Sequence, residues 1–539
     1  MIGKVEMFYG FHLNSFSLLP ELFLGGTLFQ LAFFVLCTSY QRKYGFVIST
    51  KAIFNVVSLI LLFTLFLIFN TDLCFFVTFA GPSFLINDFL AYFVKIVICV
   101  FSLIFLILGS YSANTSTFSN YFEYLSLTVV AMLGLFLLCS ANDLLTAYLA
   151  IELQSISFYL MSGFFKKSSY SIESGLKYFI TGALSSAFFL FGSSILYGVF
   201  GSISLPDYQM FLGIVDDQKA IEEFYLFTEL MYYTTEDIYW RSCADYPYNE
   251  FADQSSFFCF GLSLIFISLF IKLSVAPFHF WSIDVYEGSP NITTMFFTLL
   301  PKISLFVFLT RVCYSSFYTV FVDYFQFIFF FFAVFSVLIG ALGGLEQRKM
   351  KSLIAYSSVG HTGYLLLSFS TGSLEGVYIL FYYLVIYMVS IACFWSVYFL
   401  LELRKSNYKL KQNKELGDFA LLYRSNPALA AVLSISFFSM AGIPPLVGFL
   451  TKLGVFLTVI QASYYVLAFF AILFSVISTF YYIRFIKILY FENVKVGKLY
   501  KPIKSQVSFL GSFLSISLIL LCCNPSLIYL CFMKASLMF

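Results

Sequence analysis

About fourteen apolar stretches, most of them 20–28 residues long, follow one another along this 539-residue chain. At 1.5 Å of rise per residue, a helix of about 20 residues crosses a hydrocarbon core of about 30 Å. The composition agrees: 60% of residues are hydrophobic, 11% are charged, and the mean hydropathy is +0.91. A soluble domain of this size needs far more polar surface. A membrane barrel would instead alternate apolar and polar residues over runs of about ten. The sequence therefore predicts an all-α, polytopic membrane protein with spans near 16–38, 47–70, 89–112, 121–139, 143–163, 172–200, 257–281, 291–316, 320–343, 352–371, 375–402, 427–460, 465–489 and 506–533.

Two spans are expected to be broken. The 427–460 run is too long for one straight crossing and contains Gly442-Ile443-Pro444-Pro445. The seventh span contains Pro277, in Val275-Ala276-Pro277-Phe278-His279, and proline removes a helical hydrogen bond. Interruptions five spans apart suggest two inverted five-helix repeats, spans four to eight and nine to thirteen, a pattern found in many transporters. The expected organisation is residues 1–118 for the first three helices, 119–316 and 317–490 for the two repeats, and 491–539 for a basic loop and the last helix.

Lysine and arginine collect at Gln41-Arg42-Lys43, Lys166-Lys167, 346–351, 404–414 and 484–504. These follow spans one, five, nine, eleven and thirteen, so all fall on one side of the membrane, which supports the count of spans. Residues 206–255 are different. They carry eleven acidic residues against Lys219 and Arg241, and lie on the opposite side. A solvated insertion or a docking surface for a neighbouring protein fits that block.

Cysteine and histidine usage excludes redox chemistry in the chain. The eleven cysteines are scattered, without a C-x-x-C pair, and His12, His279 and His361 are far apart, so neither a metal site nor an iron–sulfur cluster is expected. Residues 1–14 lack a basic region followed by a short apolar one, and no cleaved leader is expected.

Charge inside the spans is what points to function. Glu152, Lys272, Lys302 and Lys452 lie well inside apolar runs. Each costs about 2.5–3.5 kcal/mol at the bilayer centre unless partners or water offset it. Glu152 stands near the middle of span five. Lys272 precedes Pro277 by five residues, and carbonyls freed by that proline can solvate an ammonium. Desolvation disfavours the ammonium form and a nearby carboxylate favours it, so making or breaking a Glu152–Lys272 pair would toggle a proton. Lys302 follows Pro301, Lys452 follows Pro444 by eight residues, and His361 lies between Gly360 and Gly363. Together they read as a lateral proton path. Lys177, near a basic loop, is a further candidate, though a lysine there can also reach out to the interface. A single such charge can equally fasten two helices, and His279 reads as a surface-proximal residue beside Trp281 and Asp284.

Several motifs carry a family resemblance: Ile151-Glu152-Leu-Gln-Ser155, Gly175-Leu-Lys177-Tyr-Phe-Ile180, Lys272-Leu-Ser-Val-Ala-Pro-Phe-His279, Asp284-Val-Tyr-Glu-Gly-Ser-Pro290, Pro301-Lys-Ile303, Ala355-Tyr-Ser-Ser-Val-Gly-His361 and Ala441-Gly-Ile-Pro-Pro-Leu-Val-Gly-Phe449. From about 120 to 490 the chain resembles the subunit-2 type of the antiporter-like membrane subunits of mitochondrial NADH:ubiquinone oxidoreductase, respiratory complex I. That resemblance implies proton translocation driven by NADH oxidation and ubiquinone reduction elsewhere. Glu152, Lys272, Lys302 and Lys452 would take the family's relay positions. It also implies no cofactor in this chain, with NADH, FMN, iron–sulfur clusters and ubiquinone held by other subunits. Implied partners are neighbouring antiporter-like and small membrane subunits and lipid, not nucleic acid. The implied location is the mitochondrial inner membrane, with basic loops in the matrix and the acidic block and both termini in the intermembrane space. A stand-alone cation/proton antiporter shares this ancestry and much of this lysine set; a scaffold subunit is the third reading.

Overall fold

The computed structural model describes residues 18–42, 50–70, 78–80, 84–113, 121–166, 168–212, 248–401, 415–492 and 505–536. The acidic block from 213 to 247 and the basic stretch 404–414 lie outside the described residues. The helices of nine or more residues are α1 Leu19–Arg42, α2 Thr50–Asn70, α3 Phe89–Ala113, α4 Tyr121–Ser140, α5 Leu144–Ser162, α6 Ser169–Phe200, α7 Tyr248–Leu273, α8 Phe280–Gly288, α9 Asn291–Leu299, α10 Pro301–Thr310, α11 Gln326–Leu345, α12 Met350–Phe369, α13 Leu374–Leu400, α14 Pro427–Ala441, α15 Val447–Gln461, α16 Tyr465–Tyr490, α17 Ser505–Cys523 and α18 Ser526–Ser536. The described exception to an all-α architecture is a short antiparallel ladder, Thr78–Ala80 against Leu85–Asn87.

Every expected span has a helical counterpart, yet among the described residues only 10 helices are long and apolar enough to cross a membrane on length and composition alone. Four more are shorter apolar pieces, namely Leu19–Phe34, Phe257–Leu273, Pro427–Ala441 and Val447–Gln461. The remaining one, α12, is diluted by Ser357, Ser358, His361 and Thr362. It tolerates them because nearly all its residues are buried against protein rather than lipid.

Both expected breaks are present. α7 ends at Leu273, Ser274 has φ 57, and the chain restarts as α8 at Phe280. Trp281 Nε1 donates to the Ile271 carbonyl at 2.8 Å, which also accepts the Ser274 N–H at 3.2 Å, so two donors close the end of the broken helix. α14 stops at Gly442, whose φ of +80 is cheap only for glycine. Two further interruptions were not anticipated. Pro301 divides the eighth span into α9 and α10, and with no N–H it cannot bond the carbonyl of Phe297; Tyr286 Oη donates to that oxygen at 3.5 Å. Asn524-Pro525 divides the last span into α17 and α18.

The core is built around the eighth and eleventh spans. Of each apolar window in Asn291–Ser316 and in α13, 94% is buried inside the protein, against 28% for α6 and 33% for α16. α4 packs on α5 and α10, while α11 packs on α12 and α16; α7 packs on α6, and α14 and α15 pack on α13. The neighbours of spans four to eight thus recur, five spans later, among spans nine to thirteen.

Small residues make the tightest of these contacts, as is usual between helices in a membrane. A Cβ on Gly340 of α11 would lie 2.5 Å from the Gly360 Cα of α12, while one on Gly198 would meet nothing. Gly340→Leu is therefore expected to cost about 1–3 kcal/mol or more of stability through overpacking. Gly198→Leu should cost little. Thermal denaturation of the detergent-solubilised protein compares the two.

Candidate functional site

Each of the three central lysines is held by one oxygen, and Lys302 and Lys452 lie over a tyrosine face as well. Lys452 Nζ donates to the Ala441 carbonyl at 2.7 Å and lies 5.4 Å from the Tyr364 ring centre. Ala441 is the last residue of α14, so the ammonium caps the negative end of a half-helix dipole. Lys302 Nζ donates to the Ser358 carbonyl on α12 at 3.1 Å and sits 5.5 Å from the Tyr387 ring of α13. Lys272 Nζ donates to Tyr159 Oη at 3.4 Å and lies 5.9 Å from the same ring.

The magnitudes explain why these charges are tolerated. A hydrogen bond to a charged group contributes about 1.5–3 kcal/mol, and a cation–π contact about 0.5–2 kcal/mol. Together they match the insertion cost of about 2.5–3.5 kcal/mol.

His361 joins two of the lysines. Its Nδ1 is 2.8 Å from Tyr383 Oη on α13 and its Nε2 is 3.2 Å from Tyr482 Oη on α16. Both Lys302 and Lys452 act on it electrostatically. A cavity of about 10 Å³, room for about one water, is lined by His361, Lys452, Tyr364, Tyr481, Tyr482 and Ser357 among others. Lys302, His361 and Lys452 therefore form one polar cluster around α12, drawing Lys302 from the eighth span and the other two from the second half.

The first half is arranged differently. Glu152 and Lys272 form no ion pair, although the carboxylate acts on the ammonium at longer range. Glu152 Oε1 is buried with no hydrogen-bond partner among the described residues. Ser155 Oγ donates to the Glu152 carbonyl at 3.1 Å and is 3.4 Å from its Oε2. Lys177 stands apart at the helix surface, bound to Glu173 and to Asp284, each at 2.7 Å. Asp284 lies on α8, the segment that follows the Pro277 break. His279, beside that break, is buried rather than superficial, and its Nδ1 has no partner among the described residues.

Sequence reasoning missed several participants. Ser155, Tyr159, Tyr364, Tyr383, Tyr387 and Tyr482 were hidden among the 39 tyrosines and many serines of the spans. Spacing was the available signal: Tyr383 and Tyr387 lie four apart, which places both on one helix face. A further ion pair was overlooked altogether. Lys95 of α3 binds Glu21 of α1 and Asn87, with both charged side chains buried. Arg311 ties the end of the eighth span to Asp88 at 2.8 Å and to the Ala141 carbonyl at 3.1 Å. No group of three His, Cys, Asp or Glu side chains that could hold a metal ion occurs among the described residues.

Residues 141–478, which include all four central charges and His361, match the family described as NADH:quinone oxidoreductase/Mrp antiporter, TM. The chain belongs to this family. It is 39% identical over 391 residues to NADH-ubiquinone oxidoreductase chain 2 of Marchantia polymorpha, covering 72% of each protein. Its fold matches a chain of respiratory complex I from Thermus thermophilus with a TM-score of 0.69 at 24% identity, over 93% of this chain and 98% of that one. It also matches a chain of the Mrp complex from Dietzia sp. DQ12-45-1b with a TM-score of 0.75 at 17% identity, over 97% of each. These two likenesses speak to the fold alone.

Gly442 is the hinge of the site. A Cβ there would lie 2.7 Å from Lys452 Cδ, on a backbone with φ +80. Gly442→Ala is expected to cost about 1–3 kcal/mol from that strain and to push the ammonium off the Ala441 carbonyl. Thermal denaturation and proton uptake by vesicles containing the protein should fall together.

Proposed function

We infer that this chain is a proton-translocating membrane-arm subunit of a respiratory NADH:ubiquinone oxidoreductase, moving protons through its buried Glu, Lys and His side chains. The observation that carries the reading is the polar cluster Lys302–His361–Lys452, in which each ammonium has acceptors enough to be tolerated and a titratable neighbour close enough to sense its charge. Burial disfavours the ammonium, and the carbonyl and ring favour it. A lysine so balanced can lose or gain a proton when a nearby charge changes. Glu152 and Lys272 supply the corresponding pair in the first half, and Lys177 with Asp284 a charged group at its edge.

The two halves, residues 119–316 and 317–490, act as related repeats, a division supported by the recurring helix neighbours and by breaks in the seventh and twelfth spans. Electron transfer belongs to other subunits, which bind NADH, FMN, iron–sulfur clusters and ubiquinone; this chain needs no cofactor of its own. Its partners are neighbouring antiporter-like and small membrane subunits and lipid. The site is the mitochondrial inner membrane, with the basic loops in the matrix and the acidic block 206–255 and both termini on the other side.

The likeness in fold to an Mrp complex chain supports a second reading, a cation/proton exchanger working without redox partners. Co-purification with flavin- and iron–sulfur-bearing subunits separates the two.

Lys302→Met, assembled into the complex and reconstituted in vesicles, is expected to lower NADH-driven proton uptake by an order of magnitude or more while the complex stays intact. Intact assembly with unchanged uptake would reject a proton path through Lys302.

A further inference from the structure

We propose that the hydroxyls of Ser155 and Tyr159 form the proton bridge between Glu152 and Lys272, replacing a direct ion pair. This rests on the proton-path reading above and assigns the part of that path in the first half.

Glu152, Ser155 and Tyr159 are spaced i, i+3 and i+7 on α5, so they line one face of a single helix. Along that face the polar atoms are in sequence. Ser155 Oγ lies 3.4 Å from Glu152 Oε2, Tyr159 follows Ser155 by one helical turn on the same face, and Lys272 Nζ donates to Tyr159 Oη at 3.4 Å. Tyr159 is the side-chain hydrogen-bond partner that Lys272 shows among the described residues, and no ion pair bypasses it. The two 3.4 Å spacings are longer than a mature hydrogen bond and the Ser155 and Tyr159 hydroxyls share no hydrogen bond in this arrangement, so the bridge is poised rather than closed and the two hydroxyls must meet for a proton to cross.

An independent feature sets the phenol in place. Tyr159 points across to α6, where a Cβ at Gly182 would overlap the phenol oxygen and the carbon that bears it. Only glycine at 182 leaves room for the hydroxyl to reach Lys272. The Tyr159 ring also packs edge-on to Tyr178 and Phe179, with centroids 4.9 Å and 5.6 Å away. Those contacts fix the ring without using its oxygen.

The transfer is a concerted shift of three protons. The Lys272 ammonium gives a proton to Tyr159 Oη as the phenol proton passes to Ser155 Oγ, and the serine proton passes to the Glu152 carboxylate. An ammonium and a carboxylate become an amine and a carboxylic acid, both hydroxyls are regenerated, and neither hydroxyl is ever a free anion. The reverse shift restores the charges.

Tyr159→Phe, Ser155→Ala, their double variant and Gly182→Ala, each assembled in the complete complex, test this by NADH-driven proton uptake in vesicles across a range of pH. Tyr159→Phe keeps the ring packing, and Gly182→Ala keeps the phenol but displaces it. Each single variant is expected to lower uptake roughly tenfold and to move its pH profile. The double variant should be no slower than the slower single one, because links in series fail together. Tyr159→Phe pumping at the normal rate with an unmoved pH profile overturns the bridge, as does a double variant whose losses multiply. A slower rate with an unmoved profile also overturns it, since that is what lost packing alone produces. Lys302→Met separates the two claims: if it lowers uptake while Tyr159→Phe leaves both the rate and the pH profile unchanged, the bridge falls and the proton path stands.

Discussion

An ammonium group with no water around it must be surrounded by electron pairs, and a continuous α-helix has few to give. Every carbonyl in its interior is already bonded to an N–H one turn on, which leaves only a second lone pair, the kind Lys302 takes from Ser358. Much of this architecture answers that constraint. α14 ends at Gly442 and exposes the Ala441 carbonyl, and Lys452 folds back onto it. α7 ends at Leu273, one residue beyond Lys272. Pro301 strips the Phe297 carbonyl of its N–H partner in the residue before Lys302. Broken helices are costly in lipid; here they stand beside the charges that need them.

The tyrosines supply the rest. An aromatic face offers a cation electron density without offering a proton or a second charge, so it holds an ammonium without fixing its protonation state. Tyr387 and Tyr364 do this for Lys302 and Lys452 in turn. The hydroxyls of Tyr159 on Lys272, of Tyr364 on the Ala471 carbonyl, and of Tyr383 and Tyr482 on His361 add polar links between helices that are otherwise packed with Phe and Leu. The two clusters then differ in kind: a histidine joins Lys302 to Lys452, whereas hydroxyls separate Glu152 from Lys272.

Much of this was legible in the sequence, for definite reasons. A lysine inside an apolar run is conspicuous, so Lys272, Lys302 and Lys452 stood out, and Gly442-Ile443-Pro444-Pro445 announced its break because proline and glycine act through the local backbone. Pro301 was visible too, but its effect on the span was underrated. Tyr159 and Ser155 were not legible, because hydroxyl residues are common in spans and only helix rotation decides which face inward. The carbonyls of Ala441 and Ser358 carry no side-chain label at all. Lys95 was passed over because Glu21, its partner, lies 74 residues away, and pairing at that distance depends on how α1 and α3 pack.

The central claim is that the buried amines are solvated by carbonyl and hydroxyl oxygens and joined through hydration rather than sealed in dry packing. An experimental map of the assembled complex, sharp enough to resolve ordered water, tests it most directly at the cavity bounded by His361, Lys452 and Tyr482. The account predicts a water there within hydrogen-bonding distance of the imidazole side and the ammonium side, with Lys452 on the Ala441 carbonyl. A collapsed, water-free cavity, with the Lys452 amine turned away from α14 toward lipid, would contradict it.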